Sequence, residues 1–308
     1  MKRVFGYVLV TIGFTLIFLS PFLLFYATPR LEKAPTDTQE QIVSTGQGTY
    51  FSAKQLKGIS TPVKDIEVLS GQPQKSTDEV AVIYYTSKLF NPDDGSPITY
   101  DKEVYAMNRH TGVAENCCGE TPRMHGQTLK FPFGTEKKSY LLWDPTANAA
   151  LPVSYSRTED LEGVTAYVFE GTPQAVKNGT LDLPNALIGV SGKGETTTDT
   201  FYQAKTTVWI EPQTGRVLKG EKDLQQWAEL NGTKVLDLAD IKLGYDDATV
   251  AHFVSEAKKD IKQLKIVTKV LPIFGPIIGV ILVIIGLMML RPPKSASSSS
   301  REPQAAAA

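Results

Sequence analysis

Two runs without a charged side chain stand near the two ends of this sequence, and they constrain it more than anything between them. Val4 to Ala27 reads VFGYVLVTIGFTLIFLSPFLLFYA, and Val270 to Leu290 reads VLPIFGPIIGVILVIIGLMML. At about 1.5 Å per helical residue, each is long enough to cross a hydrocarbon core of roughly 30 Å. A cleaved signal peptide is the rival reading of the first run, but its apolar region is usually about 7–15 residues and ends at a small-x-small site. Phe25-Tyr26-Ala27 matches such a site poorly, so residues 4–27 read as an uncleaved signal anchor. Pro272 and Pro276 place a kink near the start of the second run. Gly275-x-x-x-Gly279 has the spacing of a close helix contact, with Gly6 or Gly13 as partner. Glycine is common enough in such helices that the spacing needs no special cause.

Two spans put their outer flanks on one side. Lys2 and Arg3 precede the first, and the first helix usually sets the orientation. Lys258, Lys259, Lys262, Lys265 and Lys269 crowd the inner flank of the second, but long domains translocate largely regardless of charge. The expected layout is a cytoplasmic stub at residues 1–3, a span at 4–27, an extracytoplasmic β-rich domain at 28–246, an amphipathic juxtamembrane helix at 247–269, a second span at 270–290 and a disordered cytoplasmic tail at 291–308.

The middle of the chain is long enough for one domain with its own core. Whole-chain formal charge is -1, with no basic stripe, so nucleic acid is not an expected partner. Val80–Thr86 is β-branched and aromatic on both faces, as in a strand buried on both sides. Glu103–Met107, Leu151–Tyr155 and Val164–Phe169 also read as strands. Thr206–Ile210 meets Arg216–Leu218 across Pro212-Gln213-Thr214-Gly215, and Asn231-Gly232 opens onto Lys234–Leu238, both hairpin signals. The expected fold class is mainly β, antiparallel and barrel-like, with α-helical additions. From Asp247 the period changes: Val250, Phe253, Val254, Ala257, Ile261 and Leu264 form a helical stripe. It either packs on the β domain or lies against lipid headgroups.

The two cysteines are neighbours, Cys117 and Cys118, in the stretch ENCCGE. Outside the cytoplasm adjacent cysteines can bond to each other at a turn, with Gly119 supplying flexibility; free thiols and a redox or metal role are the alternatives. His110, His125 and His252 are scattered, and neither CxxC nor HExxH occurs, so no metal or cofactor is expected. Gly189-Val-Ser-Gly-Lys-Gly194 fails the nucleophile-elbow pattern at Lys193 and the phosphate-loop pattern in its spacing. Asn91-Pro-Asp-Asp-Gly95 lacks the ligand alternation of a calcium loop. Asp144, Glu159, Asp160 and Glu162 offer carboxylates that sequence alone does not bring together. Nothing in the pattern favours an enzyme.

One segment is distinctive: FPFGTEKKSYLLWD, Phe131 to Asp144. With Arg109-His-Thr-Gly112, Asn116-Cys-Cys118 and Val208-Trp-Ile-Glu-Pro-Gln-Thr-Gly215, it resembles the actinobacterial PorA family of membrane proteins. The resemblance implies a plasma-membrane protein linked to mycolate-type glycolipid or lipoglycan assembly and polar growth, with envelope lipid transporters or synthases as partners. The layout is also similar to class B scavenger receptors, whose β-rich ectodomain between two spans passes lipid through an apolar tunnel. In the distinctive segment, Phe131, Phe133, Tyr140 and Trp143 supply aromatic area that would pack a core corner or ring the mouth of an acyl-chain cavity. Lys137 and Lys138 would then meet a headgroup or face water. Two functions follow: a carrier that shields lipid or glycolipid in an apolar cavity, at ~0.8 kcal/mol per buried methylene, or a non-enzymatic scaffold for envelope-synthesis and polar-growth proteins.

Overall fold

The structure is a computed structural model and describes residues 2–291; the expected tail lies outside the described residues apart from Arg291. The chain forms two compact units, one of residues up to Arg30 and from Leu264 on, the other of Leu31–Gln263. Helix α1 (Lys2–Phe22) passes through a π-helical turn at Leu23–Ala27 into the short α2 (Thr28–Leu31). After the β-rich segment come α3 (Asp247–Lys265), a π-helical turn at Ile266–Val270 and α4 (Leu271–Leu290).

The first unit is a pair of antiparallel helices, α1 against α4, each long and apolar enough to cross a membrane. The sequence chooses glycine where the backbones meet. A Cβ on Gly13 would sit 2.5 Å from the Gly279 carbonyl oxygen, and one on Gly279 would sit 2.6 Å from that of Gly13. Gly6 and Gly286 meet in the same way, and Ser20 Oγ donates to the Pro272 carbonyl at 2.8 Å. The contact residues therefore step by seven on both helices, the period of a left-handed helix pair. Gly275 is in ordinary contact, 3.6 Å from Leu16 O. The close approach follows a heptad rather than the Gly275-x-x-x-Gly279 spacing, and glycine is required there, not merely frequent. Side chains on the other faces, such as Phe5, Phe18, Ile277 and Met288, are exposed, as lipid contact demands.

The second unit is built on an 11-stranded antiparallel sheet. Its strands are β1 (Gln39–Ser52), β2 (Lys57–Gly71), β3 (Val80–Phe90), β4 (Pro97–Asn108), β5 (Ser139–Asp144), β6 (Ala149–Leu161), β7 (Val164–Gly171), β8 (Val176–Pro184), β9 (Glu195–Ile210), β10 (Val217–Leu230) and β11 (Thr233–Tyr245). The order is β4-β3-β2-β1-β11-β10-β9-β7-β6-β5, and β8 shares the β7 edge of the long β9. The fold class expected from the sequence is the one observed.

The two end strands, β4 and β5, are joined by the irregular connection between them. Glu115 N donates to Ala106 O on β4 at 2.8 Å; Ala114 N donates to Gly126 O at 2.8 Å; Gln127 N donates to Leu141 O on β5 at 2.7 Å. Gly126 makes this closure possible, because its φ is +72° and a Cβ would lie 2.5 Å from Leu141 O. Cys117 and Cys118 lie on the exposed part of the same connection and are bonded to each other, with Cα atoms 3.8 Å apart.

Helix α3 follows the packing reading of its stripe. Phe253, Val254 and Ala257 are buried against Ile42, Leu69 and Leu218 of the sheet. Arg216 Nη2 bonds Asp260 at 3.0 Å, and Glu40 joins Arg216 at 3.3 Å and His252 at 3.1 Å.

Candidate functional site

Side chains alternate across a strand, so residues two apart share a face. On the inner face of the sheet, two apolar clusters form. One gathers Val63, Leu89, Leu224 and Ile241; the other gathers Leu69, Ile83, Met107, Leu218 and Phe253. Between them the same strand faces carry a polar layer: Asp65 and Glu67 on β2, Tyr85 and Ser87 on β3, Asp101, Glu103 and Tyr105 on β4, Asp144 at the end of β5, Tyr202 on β9 and Lys222 on β10. Five carboxyls thus share the layer with one lysine. The inner face is not apolar throughout, as the sequence reading of a lipid cavity assumed, but apolar, acidic and apolar again.

Burial without full pairing is costly for charged groups, and the layer shows how the cost is met. Lys222 Nζ lies 3.1 Å from Asp144 Oδ2, and the Tyr202 hydroxyl donates to the same oxygen at 3.0 Å. Ser87 Oγ donates to Asp65 Oδ1 at 2.8 Å. Burial alone would lower the Lys222 pKa, but Asp144 and Tyr202 more than offset it and hold the amine above its ordinary range. Burial, with the neighbouring Asp65 carboxylate, pushes Glu67 up to about 7. Burial likewise raises Asp65, Asp101 and Glu103. Burial thus favours the neutral form of these acids, which lessens the need for further cations.

Two features mark this layer as a site rather than plain core. Glu67, Lys222 and Tyr245 stand on the inner face beside fully buried neighbours yet are only half-buried; the Lys222 side chain keeps 27% of its surface accessible. The layer therefore borders open space. In addition, Glu103 Oε2 and Trp143 Nε1 are buried without a hydrogen-bond partner. Among the described residues, no three His, Cys, Asp or Glu side chains converge as metal ligands.

The residues singled out from the sequence divide between two faces. Trp143 is buried with Tyr85 and Tyr105. Phe131 is buried with Phe169, Val153, Val208 and Ile210, on the face opposite Trp209 and Val168, and Tyr140 packs on it at 5.1 Å between ring centroids. The Phe131 backbone bonds Gly215 at 2.8 Å, which seats the segment on the β9–β10 hairpin. Phe133 stacks on His110 at 5.5 Å, and the Lys130 ammonium lies 3.7 Å from its ring centroid. Lys137 lies near the Tyr155 and Tyr167 rings, and exposed Lys138 pairs with Glu136 at 2.7 Å. The acidic layer was not singled out from the sequence, except for Asp144. Its signal was present as Asp65-Ile-Glu67 and Asp101-Lys-Glu103: in a strand, each D-x-E places both carboxyls on one face.

These features define a class: a β domain, acidic inside, in a chain with an apolar helix towards each end. The chain belongs to the Porin PorA family, whose sequence profile matches residues 5–288. A protein named Porin PorA from Corynebacterium resistens is 24% identical, over 53% of this chain and 55% of that protein. Another Porin PorA, from Corynebacterium amycolatum, is 21% identical over 93% of this chain and 98% of that protein. Protein peste of Drosophila melanogaster is 38% identical over 93 residues, 30% of this chain and 17% of that protein. The chain thus spans about half the length of the first relative and nearly all of the second.

Proposed function

We propose that this chain is a two-pass membrane protein of the actinobacterial envelope whose extracytoplasmic domain binds or carries an amphiphile, a lipid or glycolipid, inside its sheet. The observation that carries this reading is the layered inner face, where half-buried Glu67, Lys222 and Tyr245 border open space between two apolar clusters. An amphiphile offers both chemistries at once. Apolar surface removed from water contributes about 25 cal/mol per Å², and the polar head meets groups that are costly to bury alone. The role is binding rather than catalysis, and the partners it would serve are envelope lipid transporters or synthases. Lys2 and Arg3 before the first span favour a cytoplasmic N-terminus, and with it a sheet outside the cytoplasm.

The name of the Corynebacterium relatives suggests a pore. A membrane β-barrel needs an outward apolar band, whereas outward side chains here include exposed Lys88, Lys102, Lys205, Asp240 and Lys242. Those charges suit a water-exposed sheet, with the helices left to span the bilayer. The test is to purify the full-length protein from an actinobacterial host in mild detergent and identify co-purifying lipids by mass spectrometry, beside a Trp143→Ala variant and an unrelated two-span protein. One lipid class enriched to near-stoichiometry and lost in the variant supports the carrier. Bulk phospholipid, equal in all three, sinks it and leaves the scaffold for envelope-synthesis proteins.

A further inference from the structure

The bond between Cys117 and Cys118 is poorly placed to staple the fold. A disulfide acts chiefly through the loop it closes, and the effect grows with the length of that loop. Here the sequence separation is 1, so the ring holds a single peptide bond and almost no chain entropy is removed. What the ring fixes is local. Besides that peptide bond, the backbone torsions inside it are ψ of Cys117 and φ of Cys118. Cys118 has a φ of +63° and Gly119 a φ of +84°, and Glu120 N donates to Cys117 O at 3.0 Å. A turn with positive φ at both central positions suits glycine, asparagine and aspartate. Cys118 is none of these, and the ring supplies the constraint that its own side chain does not.

The turn is the apex of an arch on β4. One foot is Glu115, whose N–H donates to Ala106 O at 2.8 Å; the other is Thr121, which exchanges backbone bonds with Val104 at 2.9 and 3.0 Å. Side chains tie the apex to the limb that follows. Arg123 Nε donates to Asn116 Oδ1 at 2.7 Å, and Met124 N donates to Glu120 Oε1 at 3.0 Å. Met124 is fully buried in the cluster that holds Tyr105 and Trp143. Asn116, Cys117, Cys118 and Gly119 are exposed, and a Cβ on Gly119 would meet nothing within 4 Å. The sulfurs therefore lie where a thiolate can reach them, a condition of thiol–disulfide exchange.

We propose that Cys117–Cys118 is a redox switch on the β4 side of the closure, opened by a dithiol reductant. A thiolate of the reductant attacks one sulfur and forms a mixed disulfide, while the other cysteine leaves as a thiolate; the second thiol of the reductant then displaces the first cysteine. Two electrons pass to the protein, the reductant ends as its own disulfide, and its two protons end on the cysteine thiols. With the ring open, Cys118 returns to the negative φ that L residues prefer. The turn bond from Glu120 to Cys117 is lost, and Asn116 and Glu120 release Arg123 and Met124. The sheet keeps its ladders, so the change stays within the arch. The switch is independent of the amphiphile reading.

The test is hydrogen exchange read by mass spectrometry on the full-length protein in mild detergent, before and after dithiothreitol. Iodoacetamide should label neither cysteine before reduction and both after it. Amides of residues 115–124 should then exchange about tenfold faster, the scale of one lost hydrogen bond, while β9 and β10 exchange as before and the melting temperature holds. Cys117→Ser with Cys118→Ser should copy the reduced state and ignore dithiothreitol. Cys117→Ser with Cys118→Gly should restore protection without any disulfide, because glycine takes the positive φ unaided. Cysteines that label at the outset, or that dithiothreitol leaves bonded, overturn the switch. So does reduction with unchanged exchange at 115–124, or equal exchange in the two double variants. Faster exchange across the whole sheet with a lower melting temperature also overturns it, since only a staple would give that result.

Discussion

Glu67 shows what the inner layer does to a single carboxyl. Burial, reinforced by Asp65, lifts its pKa from 4.5 to about 7. The folded state then holds the proton more tightly than the unfolded chain does, so this contribution to stability is complete below pH ~4.5 and is lost as pH rises to about 7. At ~1.4 kcal/mol per pKa unit, up to about 3 kcal/mol is at stake. Asp65, Asp101 and Glu103 are shifted in the same direction. Thermal unfolding of the detergent-solubilised protein should therefore move to lower temperature as pH rises across that window. Glu67→Gln should flatten the fall and unfold at higher temperature than wild type at pH 8; an unchanged slope would mean the carboxyl is solvated. Phe131 carries the opposite lesson. Its aromatic neighbours in sequence suggested a single mouth, but alternation along β5 sends Tyr140 and Trp143 to opposite faces: Phe131 packs with Tyr140, Val153, Phe169 and Val208, and Trp143 with Tyr85 and Tyr105.

At the scale of elements, the glycine heptad between α1 and α4 makes a contrast within one helix. Gly13→Ala and Gly279→Ala each place a methyl group under 3 Å from a facing carbonyl oxygen and should weaken the helix pair by about 1–3 kcal/mol, the usual cost of overpacking. Gly275→Ala meets its neighbour at 3.6 Å and should be neutral. An SDS titration of the three variants in mixed micelles reads the difference directly; equal effects would mean that the helices are not paired this closely. The same scale shows what was legible in the sequence. Val80–Thr86 announced β3 because β-branched and aromatic residues fill both its faces, and the Pro212–Gly215 and Asn231-Gly232 turns announced the hairpins around β10. β1 and β2 gave no such sign. β1 reads QEQIVSTGQGTYFS, polar at most positions, and its glycines leave room for β11, with Gly46 close against the Lys242 carbonyl. In β2 the inward positions include Asp65 and Glu67. The site was hidden for the same reason. A search for apolar alternation passes over strands whose inner residues are acidic, and the pairing of Glu103 with Trp143 depends on a closure that no local pattern encodes.

For the whole molecule, the orientation proposed above makes a plain prediction. Protease added to intact spheroplasts should degrade residues 31–263 and spare an epitope placed after residue 291; protection of the sheet instead would reverse the topology. The strand order also has a consequence for how such a chain is made. β1 pairs with β11, so that Ser44 sits opposite Tyr245, and nearly the whole domain lies between the two partners. β1 to β4 can form a meander as soon as they emerge, and β5 to β10 can follow, but the edge of β1 stays open until the last strand arrives. An unpaired strand edge is a template for wrong pairing. In the orientation proposed above, vectorial export would therefore end on a single zippering event. A chain interrupted before Thr233 would present two raw edges, those of β1 and β10, to whatever quality control patrols the outer surface.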